Sequence, residues 1–93
     1  MKKRYFAVAE GSVQGVGFRF FVRKNALNLF VTGWVKNMPD GTVAMELQGN
    51  DGNLEGLVNR IKVGDQFINV KKISIKEINV VNDEKNFDIA TDL

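Results

Sequence analysis

The stretch RYFAVAEGSVQGVGFRFFVRKNALNLF, Arg4 to Phe30, decides the fold. Its opening, Arg4 to Glu10, alternates like a strand: Tyr5, Ala7 and Ala9 face one way, Phe6 and Val8 the other. Gly11 to Gly17 is glycine-rich and reads as a loop. From Phe18 to Phe30 the residues Phe18, Phe21, Val22 and Leu29 recur at helical spacing. Ala26 completes that stripe, and Arg23, Lys24 and Asn28 form the wet side. Strand, loop and helix in this order open a βαβ unit, whose next strand should run parallel to the first.

Val31 to Asn37 (VTGWVKN) supplies that next strand. Met38-Pro39-Asp40-Gly41 is a turn, with Pro suited to its early corner and Gly to a positive φ. Thr42 to Gln48 returns as a hairpin partner. Val43, Met45 and Leu47 share its buried face; Ala44, Glu46 and Gln48 share the other. Gly49 to Asn53 leads into a second helix carried by Leu54, Leu57, Val58 and Ile61 at i, i+3, i+4, i+7. Asp51 or Asn53 is positioned to cap it, and Gly64 to end it. Val70 to Val81 reads as a fourth strand, and Phe87 to Ala90 is a candidate fifth, edge strand. The order βαββαβ specifies an α+β, ferredoxin-like split βαβ sandwich, with two helices on one face of an antiparallel sheet.

With 93 residues, 44% hydrophobic and 26% charged, the chain is expected to form a single domain over residues 1–93. It has no His and no Cys. That excludes Ser-His-Asp triads, thiol nucleophiles, disulfides and Cys or His metal sites. The Lys and Arg total of 13 against 11 Asp and Glu gives a net charge of +2, too mild to imply nucleic acid. Met1-Lys2-Lys3-Arg4 is basic, but the apolar run Tyr5 to Ala9 is stopped by Glu10 and Gly11, too short for a secretory segment. A cytoplasmic protein is expected. Lys2, Lys3, Arg4, Lys71 and Lys72 read as solvated strand ends, Asp83 and Glu84 as loop residues.

Chemistry concentrates in Gly11-Ser12-Val13-Gln14-Gly15-Val16-Gly17-Phe18-Arg19. Gly15 and Gly17 let backbone N–H groups turn toward one point without side chains in the way. The helix that follows aims its unpaired N–H groups and positive dipole end at the same place, and Arg19 adds a forked cation. The combination suits a phosphate. It matches neither a dinucleotide G-x-G-x-x-G, where Phe20 takes the third glycine's place, nor a Walker A loop. The alternative is a glycine-rich turn bearing a surface Arg. Asn37 ends the second strand on the same sheet edge, as either a functional amide or a turn-forming Asn.

Three segments together, the loop just quoted, Thr32-Gly33-Trp34-Val35-Lys36-Asn37, and Asp40-Gly41-Thr42-Val43 with Gln48-Gly49, resemble the acylphosphatase family. The resemblance covers nearly the whole chain and the order of its elements. It departs at Ser12, where many members carry Arg, Lys or Thr, and at the C-terminus, which runs through Phe87-Asp88-Ile89-Ala90 to Leu93. It implies hydrolysis of acyl phosphates to a carboxylate and inorganic phosphate, without cofactor or metal. It implies catalytic roles for Arg19, which binds the phosphoryl group, and Asn37, which positions the attacking water. Backbone N–H groups of Gln14, Gly15, Val16, Gly17, Phe18 and Arg19 would cradle the phosphoryl oxygens. A carboxylate is a good leaving group, so positioning and charge stabilisation suffice without His.

RNA-recognition modules share the βαββαβ order but need aromatics on strands one and three. The third strand here has none and carries Glu46. Similar domains also front larger hydrogenase-maturation proteins; a free-standing enzyme is expected here. Its expected partner is a small acyl phosphate, with no nucleic acid or membrane, and its expected state is a monomer.

Overall fold

The computed structural model describes residues 1–91; the expectation for the extreme C-terminus at Leu93 lies outside them. The elements are β1 (Lys2–Ser12), α1 (Phe18–Asn28), β2 (Thr32–Asn37), β3 (Val43–Asn50), α2 (Asp51–Val63), β4 (Asn69–Ile78) and β5 (Phe87–Ile89). They form one five-stranded sheet in the order β4-β1-β3-β2-β5. The first four strands are antiparallel neighbours, as expected. β5 adds to the β2 edge in parallel, which makes the sheet mixed.

Alternation along the strands sorts residues between two faces. Ala7 and Ala9 of β1, Val35 of β2 and Val43, Met45 and Leu47 of β3 are buried under the helices. Phe18, Val22 and Ala26 of α1 and Leu54, Leu57, Val58 and Ile61 of α2 close over them, with Phe87 of β5 filling one side. The two amphipathic stripes read from spacing are therefore the two that pack. Burial of apolar area on this scale is the dominant favourable term in folding.

Several boundaries differ from the sequence reading. α1 stops at Asn28, because Phe30 turns left-handed at φ 56° and Val31 N–H returns to Ala26 O (2.9 Å). α2 begins at Asp51 behind Asn50, and neither Asp51 nor Asn53 caps it; Asp51 instead places its charge in the first turn, where the helix dipole favours it. β4 ends at Ile78, three residues before the expected Val81.

The largest difference is on the face opposite the helices. β4 and β5 lie at opposite edges, so the connection 79–86 has to cross the sheet. It is tied down as it passes. Gln48 Nε2 donates to Val81 O and Val81 N–H donates back to Gln48 Oε1, each at 2.8 Å. Arg4 Nη1 and Nη2 donate to Glu84 at 2.8 and 3.2 Å, while Arg4 Nε donates to Glu46 at 2.7 Å. Arg4 is thus 2% exposed, not a solvated strand end, and Glu84 is its partner, not a free loop residue. Ala44 and Gln48, expected on an open face, are buried for the same reason. Burial works against the Arg4 charge, but the two carboxylates outweigh it and raise its pKa. Burial likewise works against the Glu84 charge; hydrogen bonds from Arg4 and Thr32 and the positive charge of Arg4 overcome it and lower its pKa.

Candidate active site

The loop between β1 and α1 is fixed at both ends and open between them. Val13 and Phe18 are each 1% exposed in the core, and Val16 packs against it. Between these anchors Gly15 and Gly17 take φ of 73° and 78° on either side of Val16, which does not. Backbone that alternates in hand can turn successive N–H groups to one side, as in an anion nest. A Cβ at either glycine would meet nothing within 4 Å, so it is the positive φ and not crowding that favours glycine there. Among the described residues, the backbone hydrogen bonds of turns, loops and caps include none donated by N–H groups of residues 14–20; the first is Phe21 N–H to Gly17 O (3.0 Å).

The start of α1 is built unlike an ordinary helix end. Gly17 sits at the cap without a side chain to accept from the free N–H groups, and no acidic residue occupies the first turn. Arg19 occupies it instead. A cation at the positive end of a helix opposes the dipole by roughly 0.3–1 kcal/mol. The residue is poor for helix stability and well chosen for an anion. Among the described residues the Arg19 side chain forms no ion pair and is half-buried.

Asn37 closes β2 opposite Val43 of β3. Its Oδ1 is buried and accepts no hydrogen bond from the described residues. Buried polar atoms are nearly always paired, so this acceptor is open to a hydrogen bond from a small molecule such as water. The turn after it is well bonded: Met38 N–H donates to Thr42 O (2.9 Å) and Gly41 N–H to Met38 O (3.1 Å). Asp40 Oδ1 accepts from the Thr42 hydroxyl (2.6 Å) and N–H (3.0 Å), and these two bonds hold its pKa below the ordinary carboxylate range. Asn37 is therefore not the residue that makes the turn.

Loop and turn are joined by a contact that sequence reading missed. Gln14 Nε2 donates to both Met38 O and Thr42 O, each at 2.8 Å. The family resemblance implies a role only for the backbone N–H of Gln14. The one local hint was a long amide side chain in a loop otherwise built of small and apolar residues. All the expected site residues are thus carried at one end of the sheet: residues 14–19 on the β1–α1 loop and Asn37 on the strand end that Gln14 reaches toward. No three acidic side chains cluster with metal-binding geometry among the described residues. None of the described helices is long and apolar enough to cross a membrane.

Comparison with known proteins bears on this arrangement directly. The acylphosphatase family model matches residues 5–89. An acylphosphatase of Geobacillus kaustophilus is 48% identical over 87 residues, covering 94% of this chain and 93% of its own. The crystal structure of acylphosphatase from Bacillus subtilis superposes with a TM-score of 0.90 at 36% identity, covering 98% of this chain and 100% of that one. An acylphosphatase structure from Coxiella burnetii gives 0.88 at 34% identity, covering 96% and 93%. The match runs through both helices and all five strands, and on that footing the chain belongs to the acylphosphatase family of hydrolases.

Proposed function

We propose that the chain hydrolyses the carboxyl-phosphate bond of small acyl phosphates, with the phosphoryl group held by Arg19 and the N–H groups of Gln14, Gly15, Val16, Gly17, Phe18 and Arg19, and with water oriented by Asn37. The observation that carries the reading is the buried, unpartnered Oδ1 of Asn37 on the strand end to which the phosphate loop is tied. An acceptor there can take one hydrogen of a water and aim its lone pair at phosphorus.

In this reading water attacks phosphorus as the bond from phosphorus to the acyl oxygen breaks. The carboxylate departs with the bonding electrons, and the proton of the water passes to a phosphoryl oxygen. Charge on the equatorial oxygens is met by the guanidinium and the backbone donors, which need no reorganisation during the step. Arg19 and the N–H groups supply the positive field, so the proposal includes metal independence. It also extends to a monomeric, cytoplasmic enzyme without nucleic-acid partners.

The test is phosphate release from benzoyl phosphate by the purified protein, with and without saturating chelator, beside p-nitrophenyl phosphate. Benzoyl phosphate should turn over equally in both conditions, and the monoester far more slowly, since the chain has no His to protonate a poor leaving group. A rate abolished by chelator and restored by Mg²⁺, or comparable monoester turnover, would overturn the mechanism.

A further inference from the structure

β1 and β2 are not neighbours in the sheet; β3 lies between them. The register of β1 with β3 runs no further than Ala9 opposite Val43, and beyond it β1 pairs only with β4. Val43 therefore places Asn37 relative to Ala9, but no ladder hydrogen bond reaches from the end of β2 to the loop after Ser12. The Gln14 side chain spans that gap. Its amide nitrogen has two hydrogens, and both are used: one on Met38 O, next in the chain to Asn37, the other on Thr42 O, next to Val43. It grips both arms of the turn at once.

We infer that Gln14 is a positioning residue whose side-chain amide sets the separation between the phosphoryl cradle and Asn37; the inference rests on the roles proposed for the loop and for Asn37. Water and phosphorus must be held at roughly 3–3.5 Å in line, and a misplacement of ~1 Å can cost about 10²-fold in rate. Loss of the amide leaves the nest and Arg19 in place, because they belong to the loop and α1. It releases the loop from the turn beside Asn37, which keeps its own backbone hydrogen bonds. Phosphate affinity and turnover should then separate. Ordinary structural glue would instead lower thermal stability and leave the turnover of folded protein alone.

The experiment measures kcat for benzoyl phosphate, the inhibition constant of inorganic phosphate and Tm for Gln14→Met, Asn37→Ala and the double variant. Gln14→Met should lose about 10- to 100-fold in kcat, with the phosphate constant within about threefold of wild type. In the Asn37→Ala background the same change should cost less than about threefold more, because Gln14 acts through Asn37. Folded Gln14→Met with kcat within about twofold of wild type overturns the inference. So does a fully additive loss in the double variant, or a phosphate constant that rises in step with the loss of kcat. If Gln14→Met does not fold, the near-isosteric Gln14→Glu replaces it. As its carboxylate protonates, one donor returns, so its kcat relative to wild type should climb as pH falls; a flat ratio overturns the inference. Wild-type kcat in Asn37→Ala would bring down the role of Asn37 and this inference together. Loss in Asn37→Ala without loss in Gln14→Met brings down the inference alone.

Discussion

Two irregular segments of this chain are built on opposite rules. The β1–α1 loop, residues 13–17, is anchored by its apolar ends and the Gln14 side chain, and its backbone N–H groups have no backbone acceptors among the described residues. In the β4–β5 connection, residues 79–86, a strap across the sheet, the backbone itself is paired: Val81 exchanges N–H and C=O hydrogen bonds with Gln48, and Glu84 accepts from Arg4. Polar groups paired within the fold contribute stability; polar groups held in place and left unpaired are ready for a ligand. The difference teaches where to look for each. Changes in the loop should alter chemistry with little effect on folding, and changes in the strap should do the opposite.

Arg19→Ala is expected to show the largest effect. Its guanidinium meets phosphoryl charge in ground and transition state alike, so phosphate inhibition should weaken and kcat should fall too. The combined loss in kcat/KM should be on the order of 10³-fold or more. Tm should barely move, since the side chain has no ion-pair partner among the described residues. Steady-state kinetics with thermal melts check both halves. An unfolded Arg19→Ala would erase the contrast between the segments.

Arg4→Met should break the strap and spare the chemistry. It strands the Glu46 and Glu84 carboxylates, and loss of one partner of a buried ion pair costs about 3–5 kcal/mol. The cost should fall toward the lower end, because both carboxylates keep some contact with water. kcat at a temperature where the variant is folded should match wild type. The same clamp gives a smaller, pH-dependent effect. Glu84 has a folded pKa below its unfolded value, so its contribution is present above the ordinary glutamate pKa of about 4.3 and is lost as pH falls through the folded value. The Tm gap between wild type and Glu84→Gln should therefore narrow between neutral and strongly acid pH. A gap constant with pH would mean the charge of Glu84 contributes nothing.

The same contrast explains what could be read in the sequence. Period-two and period-3.6 patterns are local, and they placed every strand and helix, including the short edge strand at Phe87. Gly15 and Gly17 declared an open backbone, and the loop with the Gly33-Trp34-Val35-Lys36-Asn37 run carried the family resemblance. The residues alone left Asn37 open between amide and turn former; its orphaned Oδ1 and the bonds made by Asp40 and Gly41 settle only that it does not build the turn. The strap was illegible. Arg4 beside Lys2 and Lys3 looks like any solvated cation, and its partner Glu84 lies 80 residues away. Gln14 failed to show its side-chain role for the same reason, since its acceptors are backbone carbonyls that carry no residue signature. Boundaries slipped where one backbone angle decided them, as at Phe30.

The most direct measurement is kcat beside the phosphate inhibition constant in Asn37→Ala. Asn37 is proposed to touch water and not the anion. kcat should fall by about 10²–10³ while inorganic phosphate still inhibits within about threefold of its wild-type constant. Near wild-type kcat would contradict the water-positioning role and leave Asn37 as a strand-end residue with no part in the reaction.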